Sequence, residues 1–221
     1  YVYDGVADIG IVGENEVAEK GYDVKIIEKL GFSRCKLSLA VPKEYDYSGI
    51  NWFDGKRVAT SYPRILENYF TENGIKADIH QISGSVEISP AIGLADGIFD
   101  IVSSGSTLIS NGLKEVQTVM KSEAVMIGKE GLSEDKQEIL EKLLFRVHAT
   151  QKSRKNKYVV LNAPNDRLEE IIELIPGMKS PTVMSLADEG WSSVHSVLNE
   201  DVFWEVIDAL KSKGAQGILV I

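Results

Sequence analysis

From Asp100 to Leu113 the chain reads DIVSSGSTLISNGL. A strand-like run carrying one carboxylate, Asp100, breaks into Ser103, Ser104, Gly105, Ser106 and Thr107, and helix-like spacing resumes at Leu108. Backbone N–H groups and hydroxyls that converge on the start of a helix make an anion site, and phosphate is its usual occupant. The loop has no lysine of the G-K-[ST] kind, so it should grip a terminal monophosphate rather than the middle of a triphosphate chain. An ordinary Ser/Thr-rich turn with helix caps would use the same residues. Asp100 favours the phosphate reading, because a carboxylate just before a phosphate cradle can accept hydrogen bonds from sugar hydroxyls or meet Mg2+. Glu87, in SGSVEISP, is a candidate second acid, with a role at a helix entry as the alternative. A phosphorylated sugar is the leading ligand on these residues.

Composition narrows the classes further. A chain of 221 residues that is 43% hydrophobic can bury a substantial core in one large domain or two smaller ones. A formal net charge of −9 speaks against a nucleic-acid surface, which needs a basic stripe. The densest basic run, residues 152–157, reads as a solvated linker around residues 153–156. The single Cys35 rules out an internal disulfide and suits a reducing compartment. His80, His148 and His195 lack metal-ligand spacing. No apolar stretch approaches membrane-spanning length and no leader opens the chain, so a cytoplasmic protein is expected. Tyr1 falls within a domain already under way and GILVI stops inside a strand, which leads us to expect further sequence at both ends.

The elements that must position these residues follow an α/β alternation. Strands are expected at residues 7–12, 36–41, 57–60, 77–81, 98–102 and 124–128, and helices at 63–73, 89–96 and 133–151. The last of these places Ile139, Leu140, Leu143, Leu144 and Val147 on one face. DGVADIGIVG (residues 4–13) and DGIFDIVSSG (residues 96–105) share Asp, Gly, Asp, Ile and Gly at matching offsets. Such a repeat suggests two similar lobes, each turning a loop from a strand end toward a shared cleft, where open α/β sheets bind ligands. Beyond the linker, strands at 158–162, 182–186, 193–198 and 218–221 with helices at 166–174 and 201–213 give β-α-β-β-α-β, a ferredoxin-like arrangement.

These segments resemble a known family. GSVEISPAIGLAD followed by DIVSSGSTLISNGL is similar to the phosphoribosyl-pyrophosphate (PRPP) site of the ATP phosphoribosyltransferases, which act at the first step of histidine biosynthesis. DIGIVGEN (residues 8–15) and RVATSYP (57–63) resemble further segments of that family, and SPTVMSLA (180–187) and GAQGILV (214–220) resemble the regulatory domain of its long form. The family's opening strand, helix and basic ATP contacts have no counterpart here.

The resemblance implies a bilobed, periplasmic-binding-protein-like (type II) catalytic part and a C-terminal ferredoxin-like regulatory domain. Residues 1–40 and 120–152 would form lobe I, residues 41–119 lobe II with the PRPP loop, and residues 153–221 the histidine-binding domain. It places the 5-phosphate of PRPP on Ser103, Ser104, Gly105, Ser106 and Thr107, with Asp100 and Glu87 toward the ribose. ATP would approach Glu14, Asn15 and Tyr62. Adenine N1 would attack the ribose C1 and release pyrophosphate bound to Mg2+. Asp100 is followed by Ile101 where other phosphoribosyltransferases carry an adjacent acid pair, so the Mg2+ ligands stay unassigned. Histidine, as feedback inhibitor, would be lined by Met178, Thr182, Val197 and Gly217. Asn162 stands where some members carry an acid, with Asp166 as its substitute. A homo-oligomer, dimer or hexamer, is implied too. Two other readings compete with this enzyme. One is a non-catalytic bilobed ligand-binding protein; the other is an amino-acid-sensing regulatory subunit whose catalytic lobe is degenerate. Metal-ligand spacing for a deaminase and a lysine loop for a kinase are both absent from the sequence.

Overall fold

The apolar run near the start forms β1 (Ile9–Gly13), which passes directly into α1 (Glu14–Lys20). The structure, a computed structural model, describes all of residues 1–221. β2 (Lys25–Lys29) and β8 (Ala124–Gly128) complete an antiparallel three-stranded sheet in the order β1-β8-β2. β8 is buried along its whole length, as the centre of a sheet covered on both faces must be.

A second sheet carries the hydroxyl loop. Its strands are β3 (Cys35–Pro42), β4 (Arg57–Thr60), β5 (Asp78–Gln81), β6 (Gly97–Val102) and β7 (Leu113–Ser122), in the order β5-β4-β6-β3-β7. β4 runs parallel to β5 and β6, whereas β3 is antiparallel to β6 and β7. α2 (Pro63–Glu72) crosses from β4 to β5 and buries Ile65, Leu66 and Phe70 against a core of Leu37, Leu39, Phe53, Val58 and Phe99. Proline at its first position begins the helix without sacrificing a hydrogen bond. At the start of β6, a Cβ on Gly97 would lie 2.9 Å from the Phe53 ring, so this glycine is required by close packing.

Three elements escape the sequence reading: α1, β2 and β7. β2 and β7 are rich in charged residues and lack the apolar alternation on which strand recognition rests. The helix expected at residues 89–96 does not form. Pro90 and a left-handed Gly93 (φ 74°) interrupt the stretch, and the N–H groups of Leu94 and Ala95 both turn back to the Ser89 carbonyl. The linker expected at residues 153–156 is not a linker. α4 (Glu134–Lys155) continues through it, because Lys152, Arg154 and Lys155 complement the negative end of the helix dipole. Asn156 then closes the helix by donating from Nδ2 to the Lys152 carbonyl at 2.6 Å. Along α4 Leu140 is buried, but Ile139 is 65% exposed and so falls off the face assigned to it.

Packing divides the chain into two units, Tyr1–Glu134 and Asp135–Ile221. In the second, β9 (Asn156–Pro164), α5 (Leu168–Leu174), β10 (Thr182–Ser185), β11 (Trp191–Asn199), α6 (Glu200–Ser212) and β12 (Gln216–Val220) follow α4. The antiparallel order β10-β11-β9-β12 is the ferredoxin-like one expected. Both helices cover one face, burying Val159, Leu161, Ile171, Val194, Phe203 and Leu210. No helix is long and apolar enough to cross a membrane.

Candidate functional site

The parallel strands β4 and β6 end at the same level, so the residues that follow them meet. Asp100, part-buried near the end of β6, accepts a hydrogen bond from the Ile101 N–H at 2.7 Å. Burial raises its carboxyl above the usual range; the Ile101 N–H opposes this, and the neighbouring Glu87 charge adds to it. Glu87 reaches the site through a left-handed pair, Gly84 (φ 76°) and Ser85 (φ 51°), followed by a single 3-10 turn at Val86–Ile88. A serine held in that conformation stores backbone strain of the kind found beside functional groups.

Beyond β6 the loop wraps a small pocket of about 140 Å³, lined by Glu87, Asp100, Ser103, Ser104, Gly105 and Thr107. Gly105 is left-handed (φ 76°), which turns the chain into the short α3 (Ser106–Ser110). Ser106 stands outside this lining, and its hydroxyl lies 2.9 Å from that of Ser104.

Tyr62 joins the two sheets. Its hydroxyl is pushed up to about 12, first by burial and then by the charges of Glu16 and Asp100, while hydrogen bonding to Asn15 opposes the rise. Asn15 is buried at the start of α1; its N–H donates to Ser122 Oγ at 3.1 Å, and the Ser122 hydroxyl donates back to Asn15 Oδ1 at 2.8 Å. Glu14 turns elsewhere, pairing with Lys29 at 2.7 Å in a neighbouring cavity of about 470 Å³. Asn15 and Tyr62 therefore gather near Asp100, and Glu14 does not. Glu16 and Ser122 were not foreseen, because their contacts join elements far apart in the chain.

Two carboxylates facing one pocket suit a magnesium ion that takes its remaining oxygens from phosphate and water. No group of three or more His, Cys, Asp or Glu side chains could hold a metal without such help. The pocket can therefore hold a phosphate on hydroxyls and N–H groups, with two acids toward whatever the phosphate is attached to.

Residues 1–149 match the family model described as HisG: ATP phosphoribosyltransferase, and residues 153–221 match HisG, C-terminal domain. The chain belongs to the ATP phosphoribosyltransferase family. ATP phosphoribosyltransferases from Phocaeicola vulgatus and Bacteroides fragilis are 62% and 60% identical to it over 220 residues, covering 100% of this chain and 78% of each relative. The protein of that name from Cytophaga hutchinsonii is 55% identical, over 100% of this chain and 77% of its own. Among solved structures, an ATP phosphoribosyl transferase (HisG:HisZ) complex from Thermotoga maritima aligns with TM-score 0.60 and 28% identity, covering 67% of this chain and 72% of that one. The substrate-binding protein of an amino acid ABC transporter aligns with TM-score 0.52 at 12% identity, over 69% of this chain and 68% of its own, a likeness of fold. The fold is thus periplasmic-binding-protein-like, joined to a ferredoxin-like C-terminal domain, in a family that catalyses the first step of histidine biosynthesis.

In that second domain Thr182 lies directly opposite His195 across β10 and β11, and Val197 lies opposite Tyr158 across β11 and β9. These positions face away from α5 and α6. A Cβ on Gly217 (φ 57°) would sit 3.2 Å from Asn162 Nδ2, which places that glycine against the sheet as well. Met178 is 61% exposed in the loop before β10. Asp166 lies past the end of β9, in the turn leading to α5.

Proposed function

We propose that the chain transfers the phosphoribosyl group of PRPP to N1 of ATP, giving phosphoribosyl-ATP and pyrophosphate. Family membership supports the reaction class, and one observation supports the site: the loop hydroxyls of Ser103, Ser104 and Thr107 share a pocket with Asp100 and Glu87. The 5-phosphate rests on the loop, and the two carboxylates accept hydrogen bonds from the ribose hydroxyls. Adenine N1 approaches past Tyr62 and Asn15. The N1–C1 bond forms as the C1–O bond to pyrophosphate breaks, and the bonding electrons leave with the pyrophosphate oxygen. Positive charge that develops on the ribose is stabilised by Asp100 and Glu87, so rate comes from positioning and electrostatics. When bound, Mg2+ neutralises charge on the diphosphate, and Asp100 and Glu87 are the residues here that would help to hold it.

The lobes are residues 1–40 with 120–152, and residues 41–119; residues 153–221 form a regulatory domain. There histidine is bound by Thr182, Val197, Gly217 and Met178, supported by the shared sheet face of the first three. Assembly into a homo-oligomer and a cytoplasmic location accompany this reading. The test of the cradle is Gly105→Val. A branched side chain at φ 76° is strained and forces the loop to rearrange. PRPP affinity measured by calorimetry should fall about tenfold or more, and wild-type affinity in a folded variant would place the phosphate elsewhere.

A further inference from the structure

Tyr62 occupies the capping position of α2 without capping it: its backbone (φ −125°, ψ 61°) stands outside the helix and its side chain makes no cap bond. That leaves the ring to the space between the sheets, where burial and the charges of Glu16 and Asp100 keep its hydroxyl protonated. It also leaves the first N–H groups of α2 without a local acceptor. Two of them are served by α1. Glu19 accepts from the Arg64 N–H at 3.1 Å through one carboxylate oxygen and from the Ile65 N–H at 3.0 Å through the other. A carboxylate at that end of a helix also meets the positive end of its dipole.

The contact is returned. Arg64 Nη1 donates to the Lys20 carbonyl at 3.2 Å, one of the last carbonyls of α1, which have no partner within the helix. Gly21 closes α1 in the left-handed region (φ 58°), and a Cβ there would run into the Arg64 guanidinium. Backbone and neighbour alike therefore require glycine at this point. α1, which continues directly from β1 of the three-stranded sheet, meets the five-stranded sheet and its helix at both ends. Its first turn does so through Asn15 with Ser122 and Glu16 with Tyr62, its last turn through Glu19 and Lys20. The Tyr62 N–H is itself held by Thr60 Oγ1 at 2.8 Å. Tyr62 is two residues from Arg64, so the contact that fixes the start of α2 also fixes the direction in which the Tyr62 ring leaves the main chain.

We propose that Glu19 and Arg64 form a reciprocal helix-capping clasp that positions Tyr62 for the adenine nucleotide. Glu19 touches no substrate; it is a positioning residue that acts through the first turn of α2. The proposal rests on the transfer reading above, in which adenine N1 approaches past Tyr62 and Asn15, and adds to it the pair that sets where Tyr62 stands. A misplacement of about 1 Å at such a residue costs up to roughly a hundredfold in rate. Residues 103–107 of the hydroxyl loop take no part in these contacts, so the clasp governs the nucleotide side and not the phosphate of the sugar.

The complete protein is compared as wild type, Glu19→Ala, Glu19→Gln and Arg64→Ala, by initial rates in ATP at saturating PRPP and by calorimetry with each substrate alone. All four are assayed where urea unfolding shows each to be folded. We expect Glu19→Ala to raise KM for ATP and weaken ATP binding about tenfold, with PRPP affinity at the wild-type value. Glu19→Gln, whose amide oxygen still accepts from one N–H, should recover part of the loss, and Arg64→Ala should move the same constants in the same direction. A cap that only stabilises its helix would lower stability and leave KM for ATP unchanged; that result in Glu19→Ala overturns the proposal. Equal weakening of both substrates also overturns it, because the defect is then one of the fold at large. A wild type that binds ATP but not PRPP counts against the transfer reading alone, and weaker ATP binding in Glu19→Ala still supports the clasp.

Discussion

Asp100 shows how a single carboxylate is tuned by where the fold puts it. The folded chain raises its proton affinity through burial and the nearby Glu87, so the sign of its contribution to stability is fixed. Below the ordinary carboxylate value of 3.8 that contribution is fully present, and it is lost as pH rises through the raised, folded value. Asp100→Asn removes the buried charge, so at neutral pH the variant should melt above the wild type, with the difference vanishing as the solution is acidified. The same substitution should slow turnover about a hundredfold by removing charge stabilisation from the transition state. A variant that is slower and also less stable at neutral pH would contradict this account of Asp100. That Asp100 and the hydroxyl loop would share one pocket was legible, because the loop follows directly on the strand that carries the acid. Tyr62 was legible only through family resemblance, and its neighbour Glu16 not at all, since nothing local in the sequence joins the two.

At the scale of elements, α2 illustrates what local pattern cannot carry. Pro63 and the apolar spacing of Ile65, Leu66 and Phe70 mark the helix plainly. What caps it does not appear in that stretch. The Glu19 carboxylate, at the far end of α1, accepts from the Arg64 and Ile65 N–H groups at 3.1 and 3.0 Å. Tyr62, which occupies the capping position itself, makes no side-chain cap. We expect Glu19→Ala to lower stability by about 0.5–2 kcal/mol, the range of a lost helix cap, and Glu19→Gln to recover part of it. Urea unfolding measures both, and an Ala variant indistinguishable from wild type would show that the contact carries no stability. The missed helix and strands share one cause. α1 begins directly from a strand, and the outer strands β2 and β7 expose too much charge to alternate, so each is held by pairing rather than by its own pattern.

For the molecule as a whole, the sequence repeat points to related strand–loop units but overstates their likeness. Gly13 is extended (φ −70°) and opens a seven-residue helix, whereas Gly105 is left-handed and turns the hydroxyl loop. Of the paired aspartates that open the repeats, Asp96 is gripped by Arg57, whose Nη2 donates to Oδ1 at 3.0 Å while its backbone N–H donates to Oδ2 at 2.9 Å. Only the second copy therefore turns its loop around the small pocket lined by Asp100 and the hydroxyls. The second unit was far more legible, because its strands and helices alternate with clear periodicity and their order leaves few topologies. Thr182→Val keeps the size of the side chain on the open face of that sheet but removes its hydroxyl. It should relieve histidine inhibition with catalysis intact; undiminished inhibition in an initial-rate assay would move the effector site elsewhere. The most direct measurement is pyrophosphate release by the complete protein supplied with ATP, PRPP and Mg2+. The account predicts release that requires both substrates and matches phosphoribosyl-ATP formed one for one. A folded protein that binds PRPP yet releases no pyrophosphate in the presence of ATP would contradict it.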